Sequence, residues 1–371
     1  MKILFYQPYN QIVVYIESVL EHFAKAGHET YFISHAEKGE THKNLEKFGC
    51  KTFSLMVERK SFFQYYTNRI FKLASFCKEN KIDIVYSHFQ EANLIAVISQ
   101  FFCGSHFIIT RHHSDSAFTE SNSKEQWADR IINRLATNYI ATSRKVYDQM
   151  VTVEGTRASK VTLVNYGYNF NSFKRVDLNA VEQIKKTYPS RLILVAAARF
   201  IREKRHHELL AAAEELIAVG IDFKLLLLGH GPLQYEIAEL IKSKKLDGYV
   251  YFIGFKINVM DYYAAADLVV HFSISEASNS AIKEAAITCT TVAVCTDVGD
   301  FDDYITHGQN GFLLDKENPQ KDFVELMNEI NNGKFDLNQM AENLYKEVIA
   351  RFDINNVMHQ YEDLNESVLR R

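Results

Sequence analysis

No apolar run in the 371-residue sequence approaches the roughly 20 residues that a membrane-spanning helix requires. The first residues, MKILFYQPYNQ, lack both a long apolar segment and a small-residue cleavage site, so we expect no secretory signal. With 47% hydrophobic and 24% charged residues, the composition is that of a soluble globular protein. We therefore expect a cytoplasmic chain, and its length favours two domains over one.

Cysteine is scarce, and its distribution argues against a disulfide framework. The five cysteines are scattered, with no C-x-x-C pair and no histidine at metal-ligand spacing. They are Cys50, Cys77, Cys103, Cys289 and Cys295. Because an odd number cannot all pair within one chain, we interpret them as reduced and mainly packing residues.

The net charge of -4 conceals an asymmetry between the halves of the chain. Residues 1–180 hold 22 Lys and Arg against 17 Asp and Glu, whereas the remainder holds 20 against 29. A basic half favours anionic partners such as phospholipid or a lipid phosphate, and an uneven distribution over solvated faces is the alternative explanation. We expect no nucleic-acid partner.

Short β-rich apolar runs alternate with helical patterns along the whole chain. Continuous runs of Val, Ile and Leu are typical of buried parallel strands. The predicted strands cover 2–7, 29–34, 82–87, 106–111, 138–143 and 160–165, then 191–198, 223–229, 249–254, 267–272 and 291–296. Two successive arrays predict an α/β fold with two doubly wound, Rossmann-like parallel-sheet domains. The polar stretch 165–190 places the boundary near residues 170–185.

Ligands of doubly wound sheets sit beyond the carboxyl ends of the strands, so the loops after the second array are the places to search. Arg199 and Lys204 follow the run 191–198, where two cations can neutralise a diphosphate. Solvated basic residues at a helix entrance are the alternative. After the next strand, the turn around Gly229 and Gly231 would let the backbone approach a ligand.

The stretch SISEASNSAIKEAA places two carboxylates around a predicted helix start. Ser278, Asn279 and Ser280 are all good N-cap residues, so the helix should begin among them and offer unpaired N–H groups to a phosphate. Glu276 precedes this anion site and Glu284 lies about one turn beyond it. A helical span of eight positions is about 12 Å, which is the scale of a sugar nucleotide. Such a pair suits hydrogen bonds from hydroxyls better than it suits a metal.

Five motifs in order resemble the retaining glycosyltransferases of family 4, which have the GT-B fold. The motifs are R-x4-K, G-x-G-P, YFIGF with MDYYAAADLVV, E-x7-E, and DVGDFDDYITHGQNGFLL. The resemblance runs from MKILFYQPYN to MHQYEDLNESVL and implies two Rossmann-like domains facing across a cleft. It implies an acceptor-binding domain over 1–175, a nucleotide-sugar-binding domain over 176–350, and a C-terminal helix in 351–371 that crosses back to the first domain.

The same resemblance implies roles for individual residues of the second half. Arg199 and Lys204 would hold the donor diphosphate, and Glu284 would bind the ribose hydroxyls. Glu276 would contact the transferred sugar or stabilise charge near it. The other implied donor contacts are Gly229, the loop from Lys256 to Val259 beside the base, and the backbone around Ser278, Asn279 and Ser280.

In the first half, His112 of IITRHHSD matches the family histidine that reaches the donor sugar. His113 is the adjacent alternative, and we prefer His112 because it sits at the strand end. The implied catalytic group is therefore His112 with Arg199, Lys204 and Glu276.

The chain departs from the family pattern at three places. No glycine follows the first strand before Gly27, Ala277 replaces a glycine after the first glutamate, and Arg205 replaces the glycine of EKG. The D-x-D string in 300–303 is a metal signature of a different glycosyltransferase fold, and we expect no metal there or elsewhere. These departures keep the charged side chains but change the pocket around the sugar, so the resemblance does not indicate which donor sugar is used.

The resemblance implies transfer of a hexose or N-acetylhexosamine from a nucleoside diphosphate sugar, with UDP favoured over GDP, with retention and without a cofactor. The acceptor would be a glycan or lipid-linked glycan of a cell-surface polysaccharide, for example lipopolysaccharide. A sugar-nucleotide epimerase of the same fold and a non-catalytic nucleotide-sugar-binding subunit are the alternatives.

Residues 57–81 interleave basic and aromatic side chains and would suit peripheral contact with an anionic membrane at its cytoplasmic face. An ordinary amphipathic helix packed on the first sheet is the alternative. The basic residues are Arg59, Lys60, Arg69, Lys72 and Lys78, and the aromatic ones are Phe62, Phe63, Tyr65, Tyr66, Phe71 and Phe76.

Overall fold

The computed structural model describes residues 1–57, 61–112, 123–276 and 278–370. It divides into two compact units, the first formed by Met1–Phe170 with Phe352–Arg371 and the second by Asn171–Arg351. The junctions thus fall after Phe170 and Arg351, compared with the predicted junctions after residues 175 and 350. His113, Ala277, Arg59 and Lys60 lie outside the described residues.

The first unit is built on a seven-stranded sheet in the order β3-β2-β1-β4-β5-β6-β7, and every neighbouring pair is parallel. Its strands are β1 Lys2–Gln7, β2 Glu29–Ser34, β3 Lys51–Ser54, β4 Ile84–His88, β5 His106–Arg111, β6 Asn138–Ala141 and β7 Val161–Leu163. Its helices include Val14–Lys25, Glu40–Glu46, Phe62–Asn80, Gln90–Ser99, Ser123–Leu135, Arg144–Asp148 and Ile354–Leu369. The central strands β1 and β4 are buried along almost their whole length because helices cover the sheet.

The C-terminal helix Ile354–Leu369 packs within the first unit although the second unit precedes it in sequence. The Tyr86 hydroxyl, from β4, donates to Asn365 Oδ1 at 2.6 Å. The rings of Phe23 and Tyr361 meet edge to face with their centroids 6.0 Å apart. These buried contacts fix the end of the chain against the helix Val14–Lys25.

The second unit holds a six-stranded parallel sheet in the order β10-β9-β8-β11-β12-β13. Its strands are β8 Leu192–Ala197, β9 Phe223–Leu228, β10 Val250–Gly254, β11 Leu268–His271, β12 Val292–Thr296 and β13 Gly311–Leu314. Its helices include Leu178–Thr187, His206–Ala218, Gln234–Ser243, Met260–Ala265, Ser280–Ala286, Phe301–Tyr304 and Pro319–Asn331, and Leu337–Phe352 ends at the junction.

The predicted α/β class with two Rossmann-like parallel sheets is confirmed, and so is each predicted strand, with ends that differ by at most a few residues. Two short edge strands, β3 and β13, were not predicted. Three of the four residues of β3 are exposed, so its sequence lacks the apolar run of a central strand. No helix in the described ranges is long and apolar enough to cross a membrane.

In each sheet the strand order reverses at one strand, and the loops on either side of the reversal meet. In the second unit β8 lies between β9 and β11, and in the first unit β1 lies between β2 and β4. The Ile274 amide, after β11, donates to the Glu203 carbonyl, after β8, at 2.9 Å. Crevices at such reversals are where open α/β sheets bind ligands.

Candidate active site

Glu276 lies at the centre of a polar cluster at the carboxyl ends of β8 and β11. Lys204 Nζ forms an ion pair with Glu276 Oε1, and both side chains are only 13% and 12% exposed. Ser273 Oγ donates to the same oxygen at 2.7 Å, and His271 Nε2 lies 2.6 Å from it. Two neighbouring strand ends therefore converge on one carboxylate.

The environment of Glu276 keeps its carboxylate ionised. Burial alone would raise its pKa, but the hydrogen bond with His271 and the charges of His271 and Lys204 together hold that pKa well below its ordinary value. A carboxylate of this kind accepts hydrogen bonds or stabilises nearby positive charge, and it is a poor proton donor near neutral pH.

The helix Ser280–Ala286 begins among Ser278, Asn279 and Ser280, as the sequence predicted, four positions after Glu276. Asn279 is its N-cap, and Asn279 Oδ1 accepts the Ile282 amide at 3.1 Å. Asn279 Nδ2 lies 2.9 Å from His271 Nε2, so the helix start is joined to the Glu276 cluster. On the same helix, burial raises the pKa of Glu284 and a hydrogen bond from Ser280 opposes this shift.

Beneath the helix start lies an ion pair that the sequence analysis did not predict. Lys283 Nζ is 2.7 Å from Asp300 Oδ2, and both side chains are fully buried. Lys283 Nζ also donates to Ser278 Oγ at 2.9 Å and to the Asn279 carbonyl at 3.0 Å, while Ser278 Oγ donates to Asp300 Oδ2 at 2.5 Å. The pair therefore connects the segment between the two glutamates to the loop after β12. Asp300, the first residue of the D-x-D string, is therefore the ion-pair partner of a lysine.

Gly299 lets the loop after β12 pack against Glu276. Its φ is +62°, and a Cβ at this position would lie 2.7 Å from Glu276 Cβ and 2.9 Å from the Glu276 carbonyl oxygen. Any side chain would therefore displace the backbone of Glu276 or adopt a strained conformation.

The other predicted donor contacts lie on loops of the same unit. The Arg199 side chain is exposed after β8, Lys256 is exposed after β10, and Val259 is the half-buried N-cap of the helix Met260–Ala265. Gly229 has φ +133°, and a Cβ there would lie 2.0 Å from the Ala198 carbonyl oxygen. Gly229 therefore allows its own backbone to pack closely against the loop that follows β8. The donor-binding roles of these residues remain predictions.

In the first unit, His112 directly follows β5 and lies in a buried aromatic cluster. Its Nδ1 is 2.5 Å from the Tyr166 hydroxyl, and its Nε2 is 3.2 Å from His88 Nδ1 and 3.4 Å from the Tyr15 hydroxyl. The rings of Tyr15 and Tyr166 stack with centroids 3.9 Å apart. The imidazole of His112 is therefore held in one orientation, and its predicted catalytic role remains a prediction.

Four residues of the second-unit cluster were not assigned a role from the sequence: His271, Ser273, Lys283 and Asp300. His271 closes an otherwise apolar strand, and a polar residue in that place is a usable signal because strand ends face the ligand crevice. Lys283 carries no such signal, since a lysine beside Glu284 is normally expected on the wet face of a helix. Among the described residues, no group of three or more His, Cys, Asp or Glu is placed to hold a metal ion.

Comparison with solved structures identifies the fold. HepE of Anabaena in complex with UDP superposes with a TM-score of 0.84 at 21% identity, covering 99% of this chain and 100% of HepE. The same protein in complex with UDP-glucose gives a TM-score of 0.82. The two units therefore have the GT-B architecture.

Two family models together match most of the chain, Glycosyltransferase Family 4 over residues 12–171 and Glycosyl transferases group 1 over 179–347. N-acetyl-alpha-D-glucosaminyl L-malate synthase of Bacillus anthracis is 24% identical, with 94% of this chain and 91% of that protein covered. Alpha-monoglucosyldiacylglycerol synthase of Acholeplasma laidlawii is also 24% identical, with 82% and 81% covered. The chain belongs to the family 4 glycosyltransferases with the GT-B fold.

Proposed function

We propose that this glycosyltransferase moves a hexose or N-acetylhexosamine from a nucleoside diphosphate sugar, UDP in preference to GDP, to a glycan or lipid-linked glycan with retention at the anomeric carbon. The proposed setting is synthesis of a cell-surface polysaccharide, of which lipopolysaccharide is one, at the cytoplasmic face of the membrane. Metal independence is part of the proposal, so EDTA should leave the rate unchanged.

The observation that carries the proposal is the arrangement of Lys204, Glu276 and the N-terminus of the helix Ser280–Ala286 in one unit. The helix start offers N–H groups to phosphate, and the lysine and the exposed Arg199 supply positive charge beside it. The ionised Glu276 can accept a hydroxyl hydrogen bond or face a positively charged sugar ring. The names of the relatives support sugar transfer, and the UDP bound to HepE supports the choice of nucleotide.

The proposed reaction breaks the bond between the anomeric carbon and the diphosphate oxygen and forms a bond from the same carbon to the acceptor oxygen. The acceptor hydroxyl attacks from the face that the diphosphate leaves, and its proton passes to the departing phosphate oxygen. Negative charge grows on that oxygen, where Arg199, Lys204 and the helix amides stabilise it. Glu276 stabilises the positive charge that grows on the ring.

A thermal-shift series with UDP, GDP, ADP and their sugars tests the donor class, because a ligand that binds only the folded state raises its apparent stability. We expect the largest shift with UDP or a UDP-sugar. Proton NMR of the transfer product should then show the anomeric configuration of the donor. An inverted product, or no shift with any nucleotide, would contradict the proposal.

The alternative functions give different outcomes in the same assays. A sugar-nucleotide epimerase would convert the donor to its epimer with no acceptor present. A non-catalytic nucleotide-sugar-binding subunit would show the thermal shift without turnover on a broad glycan acceptor array.

Peripheral membrane contact is a separate part of the proposal. The helix Phe62–Asn80 exposes 76% of Phe63 and 55% of Phe71, and the nearby Phe102 is 42% exposed with its ring centroid 5.1 Å from that of Phe71. Exposed Lys72 adds positive charge, whereas Arg69 is buried and cannot contribute to a wet basic face. These aromatic and basic groups suit an anionic lipid surface.

Sedimentation with vesicles tests this contact. The protein should pellet with vesicles containing phosphatidylglycerol and remain in solution with pure phosphatidylcholine. Substituting Ser for both Phe63 and Phe71 should abolish the pelleting, and Tyr235→Ser, which removes a 77% exposed ring elsewhere, should not. Equal pelleting of all three proteins would contradict the contact.

A further inference from the structure

Phe89 adopts a backbone conformation that is normally reserved for glycine. It lies directly after β4 with φ +69° and ψ 150°, a region that is strained for a residue with a side chain. This position is at the carboxyl edge of the first sheet, beside the reversal of strand order at β1. Strained residues at such crevices point to a ligand.

The ring of Phe89 lies between two other aromatic rings, those of Tyr9 and His112. Its centroid is 5.2 Å from that of Tyr9, which follows β1, and 4.8 Å from that of His112. The Tyr9 ring is 52% exposed, and the Tyr9 carbonyl is fixed by a 3.0 Å hydrogen bond from the side chain of buried Gln7. An aromatic face is therefore held open to solvent at the edge of the crevice.

Two residues beyond Phe89, in the first turn of the helix Gln90–Ser99, a carboxylate is held at the same edge of the sheet. Glu91 Oε1 accepts a 2.7 Å hydrogen bond from the Tyr65 hydroxyl and lies 3.1 Å from His35 Nδ1. His35 Nε2 is 2.5 Å from the Tyr6 hydroxyl, so the imidazole can accept from Tyr6 and donate to Glu91. Burial lowers the pKa of His35, and its hydrogen bond lowers the pKa of Glu91, so the pair consists of a neutral imidazole and a carboxylate.

Arg69 balances the charge of Glu91. The guanidinium carbon lies over the Tyr65 ring, 3.7 Å from its centroid, and the residue is 3% exposed. Its Nε and Nη1 are buried and have no hydrogen-bond partner within the part of the chain that the structure describes. Among the residues that the structure describes, Arg69 and Glu91 are the charged members of this cluster and cancel one another, and both donors and acceptors remain to offer. This combination favours a neutral polyhydroxylated ligand over an anion.

We propose that Tyr9, Phe89 and Glu91 form the acceptor site in the first unit, where a neutral saccharide stacks on Tyr9 and donates a hydroxyl hydrogen bond to Glu91. The inference rests on the proposed transfer function and adds the chemical class of the acceptor. A pyranose ring presents a face of C–H bonds that matches the negative face of an aromatic ring. The carboxylate beside it selects for a hydroxyl by a charge-assisted hydrogen bond.

Binding of simple probes to the full chain tests the site. The probes are p-nitrophenyl glycosides of glucose, galactose and N-acetylglucosamine, with p-nitrophenyl phosphate as the anionic comparator, and the readout is the dissociation constant from NMR titration. Wild-type protein should bind at least one glycoside more tightly than the phosphate. Glu91→Gln should weaken that binding by about tenfold or more, because hydrogen bonds to a charged group are the stronger ones. Tyr9→Ala should weaken it about fivefold, and Tyr9→Phe should restore it.

The control is Tyr235→Ala, which removes an exposed ring from the second unit and should bind the glycoside as wild type does. The thermal shift caused by UDP separates the donor hypothesis from the acceptor hypothesis. If UDP does not shift the wild-type protein, the proposed donor class is contradicted. If UDP still shifts the variants, they are folded, and any loss of glycoside binding belongs to the acceptor site. Equal glycoside binding by wild type, Tyr9→Ala and Glu91→Gln would overturn the acceptor site alone. No glycoside binding at all, or tighter binding of the phosphate, would also overturn it.

Discussion

Lys283 and Asp300 form an ion pair 2.7 Å long from which solvent is completely excluded. Desolvation lowers the pKa of Lys283, and the neighbouring Asp300 carboxylate opposes that shift. Two further oxygens, Ser278 Oγ and the Asn279 carbonyl, accept from the ammonium group. Ser278 and Asn279 belong to the segment between Glu276 and the helix Ser280–Ala286. The ion pair therefore holds the backbone of the proposed donor site in place.

Lys283→Met should destabilise the protein by about 3–5 kcal/mol, since it leaves the Asp300 carboxylate buried without a counter-charge. The measurement is urea unfolding followed by circular dichroism. Lys186→Met is the matched control, because Lys186 pairs with Glu182 at 3.4 Å on the surface with both side chains about two-thirds exposed. The control should cost less than about 0.5 kcal/mol.

The double variant Lys283→Met with Asp300→Leu should recover most of the lost stability, because no unpaired charge remains in the core. Its transfer rate should stay low, since Ser278 and Asn279 have lost the group that orients them. If the double variant loses as much free energy of unfolding as the two single variants added together, Lys283 and Asp300 do not stabilise each other directly. Recovery of the wild-type rate would show that the pair serves stability only.

Lys204→Ala and Glu284→Ala should each lose most of the transfer activity without unfolding the chain. For Lys204 we expect about a hundredfold fall in kcat or more, because a charge that stabilises the leaving diphosphate is removed. For Glu284 the loss should appear mainly in the KM of the donor, because the proposed role is to bind ribose. Lys242→Ala removes a lysine that is 67% exposed and should leave both constants unchanged. Near-normal rates in both site variants would rule out the assigned roles.

Gly299→Ala should cut the transfer rate at least tenfold, because its Cβ would lie 2.7 Å from Glu276 Cβ and push that residue out of place. Gly220→Ala is the control for conformation alone. Gly220 has φ +79°, and a Cβ there would meet nothing within 4 Å. Both variants should lose about 1–2 kcal/mol of stability from the left-handed conformation, and only Gly299→Ala should lose activity. Equal rates in the two would contradict the contact with Glu276.

The sequence was sufficient for the fold because buried parallel strands leave a strong local signal. Apart from Lys224, the runs at β8 and β9 are apolar on both faces, and a helical pattern follows each of them. The edge strand β13 has only four residues and shows less of this signal. The start of the helix Ser280–Ala286 was also predictable, since the Asn279 cap is a local interaction.

The Lys283–Asp300 pair could not be predicted in this way, because its partners are 17 positions apart and meet only after the sheet forms. The environment of Phe89 was equally hidden, since its positive φ depends on the packing of Tyr9 and His112 around it. Local pattern therefore predicts which elements form and where they begin. The polar contacts between successive loops require the three-dimensional structure.

His206 should make the protein less stable as the pH falls. Its side chain is 2% exposed, and burial, with smaller contributions from nearby positive charge, lowers its pKa from 6.5 to about 4. Between those values the unfolded chain binds a proton that the folded protein rejects, so stability is lost as the pH is lowered through that window. The expected loss from this residue is about 2 kcal/mol between pH 7 and pH 5.

The pH dependence is checked by urea unfolding at pH 7, 6 and 5 of the wild type and His206→Gln. The variant removes the proton-binding difference, so its stability should fall less steeply than that of the wild type, even if it is lower at pH 7. Buried His88, whose pKa burial lowers to about 3, contributes in the same direction in both proteins. Parallel slopes for wild type and His206→Gln would show that His206 is protonated equally in the folded and unfolded chains.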